Sequence, residues 1–185
     1  MRVEVGRIII TAEALEERVA GLAREIAASY AQDSGGLTII SVLAGAIIFV
    51  SDLIRRLPLQ MRIGLVAVSS YPGDATVSMG PTLGSKILPD LRNRNVLIVD
   101  DILETGRTLR LVQGLVRRGG PREVRTAVLL RKASKAPPDL PVEFVGFDIG
   151  DRFVIGYGLD YDGLFRNLPY VAELELTAGP TENQA

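Results

Sequence analysis

Apolar and polar positions along the first 130 residues alternate between two periods, which predict strands and helices in turn. Short apolar runs rich in β-branched residues predict five strands: residues 7–10, 37–43, 62–70, 95–101 and 122–130. Apolar residues at helical spacing predict three helices between them: about 12–32 after an N-cap at Thr11, 46–57 before Pro58, and 107–118. Strands that alternate with helices pair in parallel, so we expect an α/β fold with a central parallel sheet flanked by helices.

The pattern changes at Arg131, after which short strand candidates follow one another without a helix. They cover residues 144–147, 153–157 and 170–174. We expect a single domain over residues 1–185, with a core of about 11–130 and a small C-terminal cap, or hood, of about 131–176 together with the N-terminal strand.

One long polar segment, YPGDATVSMGPTLGS at residues 71–85, interrupts the strand and helix pattern. Loops of this length inside compact domains are usually functional or disordered. We therefore expect a mobile loop here that closes over a site as a lid.

Composition removes several kinds of chemistry. The formal net charge of −1 argues against a general nucleic-acid surface, and the chain contains neither cysteine nor histidine. Thiol nucleophiles, disulfides, Cys/His zinc sites and Ser-His-Asp triads are excluded together, which leaves Asp, Glu, Lys and Tyr for acid–base work. There is no apolar run of 18 residues, so we expect a cytoplasmic protein.

Candidate chemistry is concentrated in VLIVDDILETGRTL at residues 96–109, where an apolar strand ends at Asp100-Asp101 and Glu104. Ligands of open parallel sheets bind beyond the carboxyl ends of the strands. The Thr/Gly-rich turn at 105–108 opens a helix and so offers backbone N–H groups to a phosphate. The carboxylates then face ribose hydroxyls or a Mg²⁺ carried by a polyphosphate. The plainer alternative, strand-end acids before an ordinary helix start, does not explain three carboxylates within five residues.

Competing phosphate motifs are absent from the sequence. GxxxxGK[ST] does not occur, and Tyr161 stands where a dinucleotide fingerprint starting at Gly156 needs its third glycine.

The segment VLIVDDILETGRTL resembles the phosphoribosyl pyrophosphate signature of type I phosphoribosyltransferases. Four further segments resemble the hypoxanthine-guanine phosphoribosyltransferase family in particular: SVLAGAIIFVSDLIRRL (41–57), VSSY (68–71), LLRK (129–132) and VGFDIGDRFVIGYGLDYDGLFRNLPYVAEL (145–174). The resemblance runs from about Thr11 to Leu174. It implies a Mg²⁺-dependent purine salvage enzyme that converts phosphoribosyl pyrophosphate and hypoxanthine or guanine into IMP or GMP and pyrophosphate.

The resemblance also assigns roles to individual residues. Glu104 would be the acid–base residue near purine N7, and a water-poor site would raise its pKa. The other implied roles are as follows: Asp100 and Asp101 at the ribose hydroxyls and metal; Thr105, Gly106, Arg107 and Thr108 at the 5′-phosphate; Leu43, Ala44, Gly45 and Arg166 at the pyrophosphate; Ser70 and Tyr71 closing over the centre; Lys132 at purine O6, Phe153 stacking on the ring and Val154 offering main-chain contacts; and Asp160 at the metal.

The chain departs from the family pattern at two of these positions. Ala44 stands where the first loop commonly carries lysine, and Glu104 stands where the acid–base residue is usually aspartate. Two alternatives remain open, a non-catalytic regulator that keeps the fold and a transferase that prefers xanthine. We also expect a homo-oligomer, a dimer or tetramer, for which the apolar helix 46–57 offers a surface.

Overall fold

A computed structural model of the 185-residue chain describes residues 2–31, 35–69 and 81–177. The strands are β1 (Arg2–Ile10), β2 (Leu37–Leu43), β3 (Met61–Ser69), β4 (Thr82–Ile87), β5 (Asn95–Leu103), β6 (Glu123–Lys132), β7 (Phe144–Ile149), β8 (Val154–Ile155) and β9 (Val171–Thr177). The helices are α1 (Ala12–Ser29), α2 (Ile47–Ile54) and α3 (Arg107–Arg118).

Six strands form the main sheet in the order β4-β3-β2-β5-β6-β7. All neighbours pair in parallel except β4, which runs antiparallel to β3 at one edge. The prediction of an α/β fold with a central sheet flanked by helices is therefore confirmed, with one antiparallel edge strand added. The carboxyl ends of the five parallel strands lie along one edge of the sheet, which brings together the segments that follow them.

Both faces of the main sheet are buried, which explains the continuous apolar runs of its central strands. Leu97 of β5 packs in the core beneath α1 and α2, whereas Ile98 packs in the core beneath α3. Each fully buried side chain of this kind contributes about 1.5–3 kcal/mol through the hydrophobic effect. The two helix layers thus hold β5 in place, and with it the residues at its carboxyl end.

The start of α1 agrees with the predicted N-cap. The hydroxyl oxygen of Thr11 accepts a hydrogen bond from the Ala14 N–H at 3.3 Å, which satisfies one of the free donors at the helix start. The helix ends at Ser29, a little before the expected end near Gln32. None of the helices in the described parts of the chain is long and apolar enough to cross a membrane.

A second, smaller sheet has the antiparallel order β1-β9-β8. Its pairing joins Val5 to Leu174 and Ile155 to Ala172. The N-terminal strand therefore lies in the same sheet as the last strand described, with β8 beside it.

Three expectations about the elements were wrong. Residues 144–147 were expected in the cap, but β7 pairs with β6 and completes the main sheet. Residues 82–85 were expected in a loop, but they belong to β4, whose mostly exposed sequence TLGSKI lacks the apolar face that reveals most strands. The strand at 153–157 is reduced to the two residues of β8. Ser70, Tyr71 and the segment up to residue 80 lie outside the described residues.

Candidate active site

The carboxylates of Asp100 and Asp101 lie near the carboxyl end of β5, in the middle of the main sheet. Asp100 is 3% exposed, and its Oδ1 accepts a hydrogen bond from the Asp101 N–H at 3.0 Å. Burial, together with the neighbouring charge of Asp101, raises the pKa of Asp100 well above its ordinary value. Burial also raises the pKa of Asp101. A hydroxyl donor or a cation at this position would stabilise both carboxylates in their charged form.

The turn after β2 lies directly against Asp101. The Leu43–Ala44 peptide bond is cis, and Gly45 packs so closely that a Cβ there would overlap Asp101 Oδ2 and lie 2.6 Å from Asp101 Cγ. The backbone of Gly45 also meets Gly158, where a Cβ would lie 3.3 Å from the Gly45 carbonyl carbon. Only glycine allows these three segments to meet, and a backbone exposed in this way can approach a ligand closely.

The start of α3 also requires a glycine. Gly106 has φ 72°, and a Cβ there would lie 2.7 Å from Leu140 Cδ2 and 2.8 Å from Pro137 Cγ. No side chain of the described residues caps the helix at this position. The N–H groups of the first turn, with the positive end of the helix dipole, therefore suit an anion beside Thr105 and Thr108.

Glu104 lies one residue beyond β5, between two lysines. Its Oε1 accepts hydrogen bonds from Lys135 Nζ at 2.9 Å and from Lys132 Nζ at 3.2 Å. These two ammonium groups hold the pKa of Glu104 below its ordinary value, and Lys135 has the larger effect. The expectation of a raised pKa was wrong, because paired cations outweigh partial burial here. Glu104 is consequently ionised at neutral pH.

Lys132 ends β6, the strand beside β5, and is buried to 6% exposure. Its Nζ also donates to Asp151 Oδ1 at 3.4 Å. Two residues further on, the Phe153 ring is 54% exposed and meets the Tyr161 ring edge-to-face, with centroids 5.7 Å apart. Val154 is buried within β8. Asp151 therefore links the buried cation to the short segment that carries the exposed aromatic ring.

Arg166 and Asp160, assigned to pyrophosphate and metal respectively, form an ion pair with each other. Arg166 Nη2 lies 2.8 Å from Asp160 Oδ1, and Arg166 Nη1 donates to the Gly158 carbonyl at 2.6 Å. The charge of Arg166 partly offsets the raised pKa of Asp101, which places the guanidinium within electrostatic range of that carboxylate. The same turn fixes Asp160 through a hydrogen bond from the Gly163 N–H at 2.8 Å.

Sequence reasoning missed Lys135 and Asp151. Lys135 Nζ bridges Glu104 and Asp151, at 2.9 Å and 2.7 Å. A turn sets this geometry, since the N–H groups of Lys135 and Ala136 both donate to the Lys132 carbonyl at 2.9 Å. The spacing of Lys132 and Lys135, three residues apart, was the available signal, but Asp151 reaches them only through the pairing of β7 with β6.

Comparisons with known proteins show which family the chain belongs to. The family model described as "Phosphoribosyl transferase domain" matches residues 8–162. The chain is 40% identical over 177 residues to a hypoxanthine-guanine phosphoribosyltransferase of Mycobacterium avium, covering 93% of this chain and 87% of that relative. It is 37% identical over 179 residues to the Bacillus subtilis enzyme of the same name, covering 95% and 96%.

A solved structure of a hypoxanthine-guanine phosphoribosyltransferase from Bacillus anthracis has the same fold. It superposes with a TM-score of 0.84 at 31% identity, covering 94% of this chain and 100% of that one. Fold and sequence agree, and the chain belongs to the phosphoribosyl transferase family, as the resemblance implied.

Proposed function

We propose that the chain is a purine salvage enzyme that transfers the 5-phosphoribosyl group from phosphoribosyl pyrophosphate to hypoxanthine or guanine, giving IMP or GMP and pyrophosphate. One observation carries the proposal: the acidic pair Asp100-Asp101, of which Asp100 is buried, lies at the carboxyl edge of the sheet, on the strand that leads into the glycine-led start of α3 and pairs with the strand that ends at Lys132. Relatives with identities of 37–40% over nearly their whole length bear the corresponding name.

Phosphoribosyl pyrophosphate, the phosphoribosyl donor, binds along this edge through its phosphates and ribose. Residues 105–108 cradle the 5′-phosphate with backbone N–H groups and the hydroxyls of Thr105 and Thr108. Asp100 and Asp101 accept hydrogen bonds from the ribose hydroxyls, which restores the solvation that burial denies them. Because Ala44 carries no charge, the turn at 43–45 meets the pyrophosphate with its backbone.

Arg166 supplies the positive charge that Ala44 lacks. Its guanidinium is held by the Gly158 carbonyl and by Asp160, in the turn that packs on Gly45. A donor pyrophosphate competes with Asp160 for the same guanidinium, so Asp160 both positions Arg166 and becomes available as an oxygen ligand.

The carboxylate oxygens at this edge suit a Mg²⁺ ion that arrives bound to phosphoribosyl pyrophosphate. Among the described residues no group of three or more acidic side chains is placed to hold an ion by itself. This suits Mg²⁺, which keeps waters and binds through one or two carboxylates plus substrate phosphates. Asp100, Asp101 and Asp160 would face that ion or its waters, and when bound it neutralises charge on the departing pyrophosphate.

The base lies against the cap. Lys132 donates to O6, Phe153 stacks on the ring, and Val154 contributes main-chain contacts. As the C1′–O bond to pyrophosphate breaks, N9 forms the new bond to C1′ and the proton on N7 passes to Glu104. Glu104 can accept this proton because it is ionised. Its lowered pKa makes it a weak base, and its position beside N7 compensates for that weakness.

The protein also acts as a homo-oligomer in this proposal. The exposed apolar residues Ile47 and Ile48 begin α2, directly after the turn at the pyrophosphate site. Size-exclusion chromatography with light scattering checks the assembly, and a monomer at micromolar concentration would contradict it.

Initial rates with phosphoribosyl pyrophosphate, Mg²⁺ and four bases test the proposed reaction. Hypoxanthine and guanine should turn over, with adenine far slower, because the 6-amino group of adenine would present a donor to the Lys132 donor. Comparable kcat/KM for adenine and hypoxanthine would contradict the role of Lys132. A clear preference for xanthine would assign a different substrate, and the absence of turnover with every base would favour a non-catalytic regulator.

A further inference from the structure

Lys135 occupies a position in the site that the proposed reaction does not yet use. Its ammonium group contacts Glu104 and Asp151 at once, at 2.9 Å and 2.7 Å, and the side chain is 41% exposed. Lys132 contacts the same two carboxylates at longer distances, 3.2 Å to Glu104 and 3.4 Å to Asp151. Two lysines and two carboxylates therefore form a closed group of four charges, hereafter the Glu104 cluster.

A purine that accepts from Lys132 adds a third acceptor to this cluster and draws the ammonium group toward the base. If Lys132 donates to purine O6, the base competes with Glu104 and Asp151 for the same ammonium group. The longer Lys132 contacts are the ones that such competition would weaken first. Glu104 would then depend on its remaining partner, Lys135.

We propose that Lys135, backed by Asp151, is a positioning residue that keeps the Glu104 carboxylate directed at the bound base once Lys132 has turned to the purine. The inference rests on the proposed roles of Glu104 and Lys132. Asp151 contributes by holding Lys135 from the far side, which limits the rotamer freedom of a long, partly exposed side chain.

The side chain of Glu104 makes such a device useful. With one methylene more than aspartate, it has an additional rotatable bond and more conformations to lose. The turn that bonds Lys135 N–H to the Lys132 carbonyl at 2.9 Å keeps the second lysine beside the first. Lys135 therefore confines a longer base to one arrangement.

The charges that face Glu104 come from three segments. Lys132 ends β6, Lys135 lies in the turn that follows, and Asp151 follows β7. Removing Lys135 takes away the largest cause of the lowered pKa of Glu104, so the acid limb of the pH profile should move to higher pH.

The test compares Lys135→Met, Lys135→Arg and the control Arg131→Met. Arg131 forms a similar ion pair with Asp148, at 2.6 Å between β6 and β7, without touching the Glu104 cluster. Misplacing a catalytic group by about 1 Å costs up to about 10²-fold, so kcat with hypoxanthine should fall about 10- to 10²-fold in Lys135→Met. The KM for phosphoribosyl pyrophosphate should stay close to the parent value. Lys135→Arg should recover most of the activity, and Arg131→Met should lose little.

The pH profile of kcat/KM for hypoxanthine distinguishes positioning from general support of the fold. An acid limb that moves to higher pH in Lys135→Met and returns in Lys135→Arg supports the proposal. A parent-like kcat in Lys135→Met overturns it, and so does a fall that Arg131→Met matches or that leaves the acid limb unmoved.

A Glu104→Gln background separates failure of this inference from failure of the proposed mechanism. Lys135→Met should cost almost nothing further there, because the residue acts through Glu104. If the two losses multiply, Lys135 acts independently of Glu104 and the inference is wrong. If Glu104→Gln alone keeps parent activity, the base assignment fails first, whatever Lys135→Met does.

Discussion

The close packing of Gly45 against Asp101 makes Gly45→Ala the most direct test of whether the contact between the turn at 43–45 and Asp101 controls the proposed donor binding. A Cβ at this position would lie 2.6 Å from Asp101 Cγ, whereas ordinary contact begins at 3.4 Å. The carboxyl carbon or the turn must therefore retreat by at least 0.8 Å, the difference between these distances. Asp101 has little freedom to do so, because its Oδ1 accepts the Ile102 N–H at 2.7 Å.

The expected loss follows from this displacement. A misplacement of about 1 Å at a reacting centre costs up to about 10²-fold, so kcat/KM for phosphoribosyl pyrophosphate should fall by roughly 10²-fold in Gly45→Ala. Overpacking should also destabilise the fold by about 1–3 kcal/mol. Steady-state kinetics with varied donor, direct titration of donor binding and thermal unfolding measure the three quantities.

Gly114→Ala provides the matched control. Gly114 lies within α3, and the nearest atom to an added Cβ is Arg118 Nη1 at 3.8 Å. The change should keep parent kinetics and stabilise the helix by about 1 kcal/mol. If Gly45→Ala stays within a few-fold of Gly114→Ala in kcat/KM for the donor, the contact between the turn and Asp101 does not control donor binding.

Four further outcomes are expected. Glu104→Gln should lower kcat with hypoxanthine by at least about 10²-fold while direct titration finds donor binding little changed, and a fall of only a few-fold when chemistry limits the rate would reassign the carboxylate. Lys132→Ala should cost about 1–3 kcal/mol in kcat/KM with hypoxanthine, and an equal loss with adenine would argue against contact with O6. Exhaustive chelation should abolish turnover and added Mg²⁺ restore it, whereas full activity after chelation would refute the need for a metal. The pKa values of Glu104 and Asp151 are lowered in the folded state, so these groups contribute stability above about pH 4 that is lost as the pH falls through their folded-state pKa values. The decrease in melting temperature that Lys135→Met causes at pH 7 should therefore become smaller in acid. A decrease that does not depend on pH would exclude the ion pairs as its cause.

The central strands and the acidic pair could be predicted from the sequence because their signals are local. A run such as Val96 to Val99 is apolar on both faces, which is the pattern of a strand buried between helix layers. The position of Asp100 and Asp101 after that run predicts a ligand site at the carboxyl edge, since parallel strands place their ends together. The absence of cysteine and histidine by itself limits acid–base chemistry to Asp, Glu, Lys and Tyr.

The edges of the main sheet depended on tertiary structure. β4 has a mostly exposed sequence, and its only strong support is antiparallel pairing with β3. β7 reads as one more short strand after the core, and its register with β6 assigns it to the main sheet. Backbone hydrogen bonds between distant segments decide which sheet a strand joins. These bonds produce no periodic pattern of apolar residues in the local sequence.

The electrostatics of the site were decided in the same way. The resemblance implied a base at Glu104, whose pKa a water-poor site was expected to raise, and it gave Arg166 and Asp160 separate roles at the pyrophosphate and the metal. Folding pairs Arg166 with Asp160 at 2.8 Å and places Lys135 at 2.9 Å from Glu104, so the pKa of Glu104 is lowered instead. Residue types and spacing determined which charges this protein carries near the carboxyl edge of its main sheet. Only the tertiary structure decided which of them meet, because the interaction of two charges depends on their separation in space and on their burial.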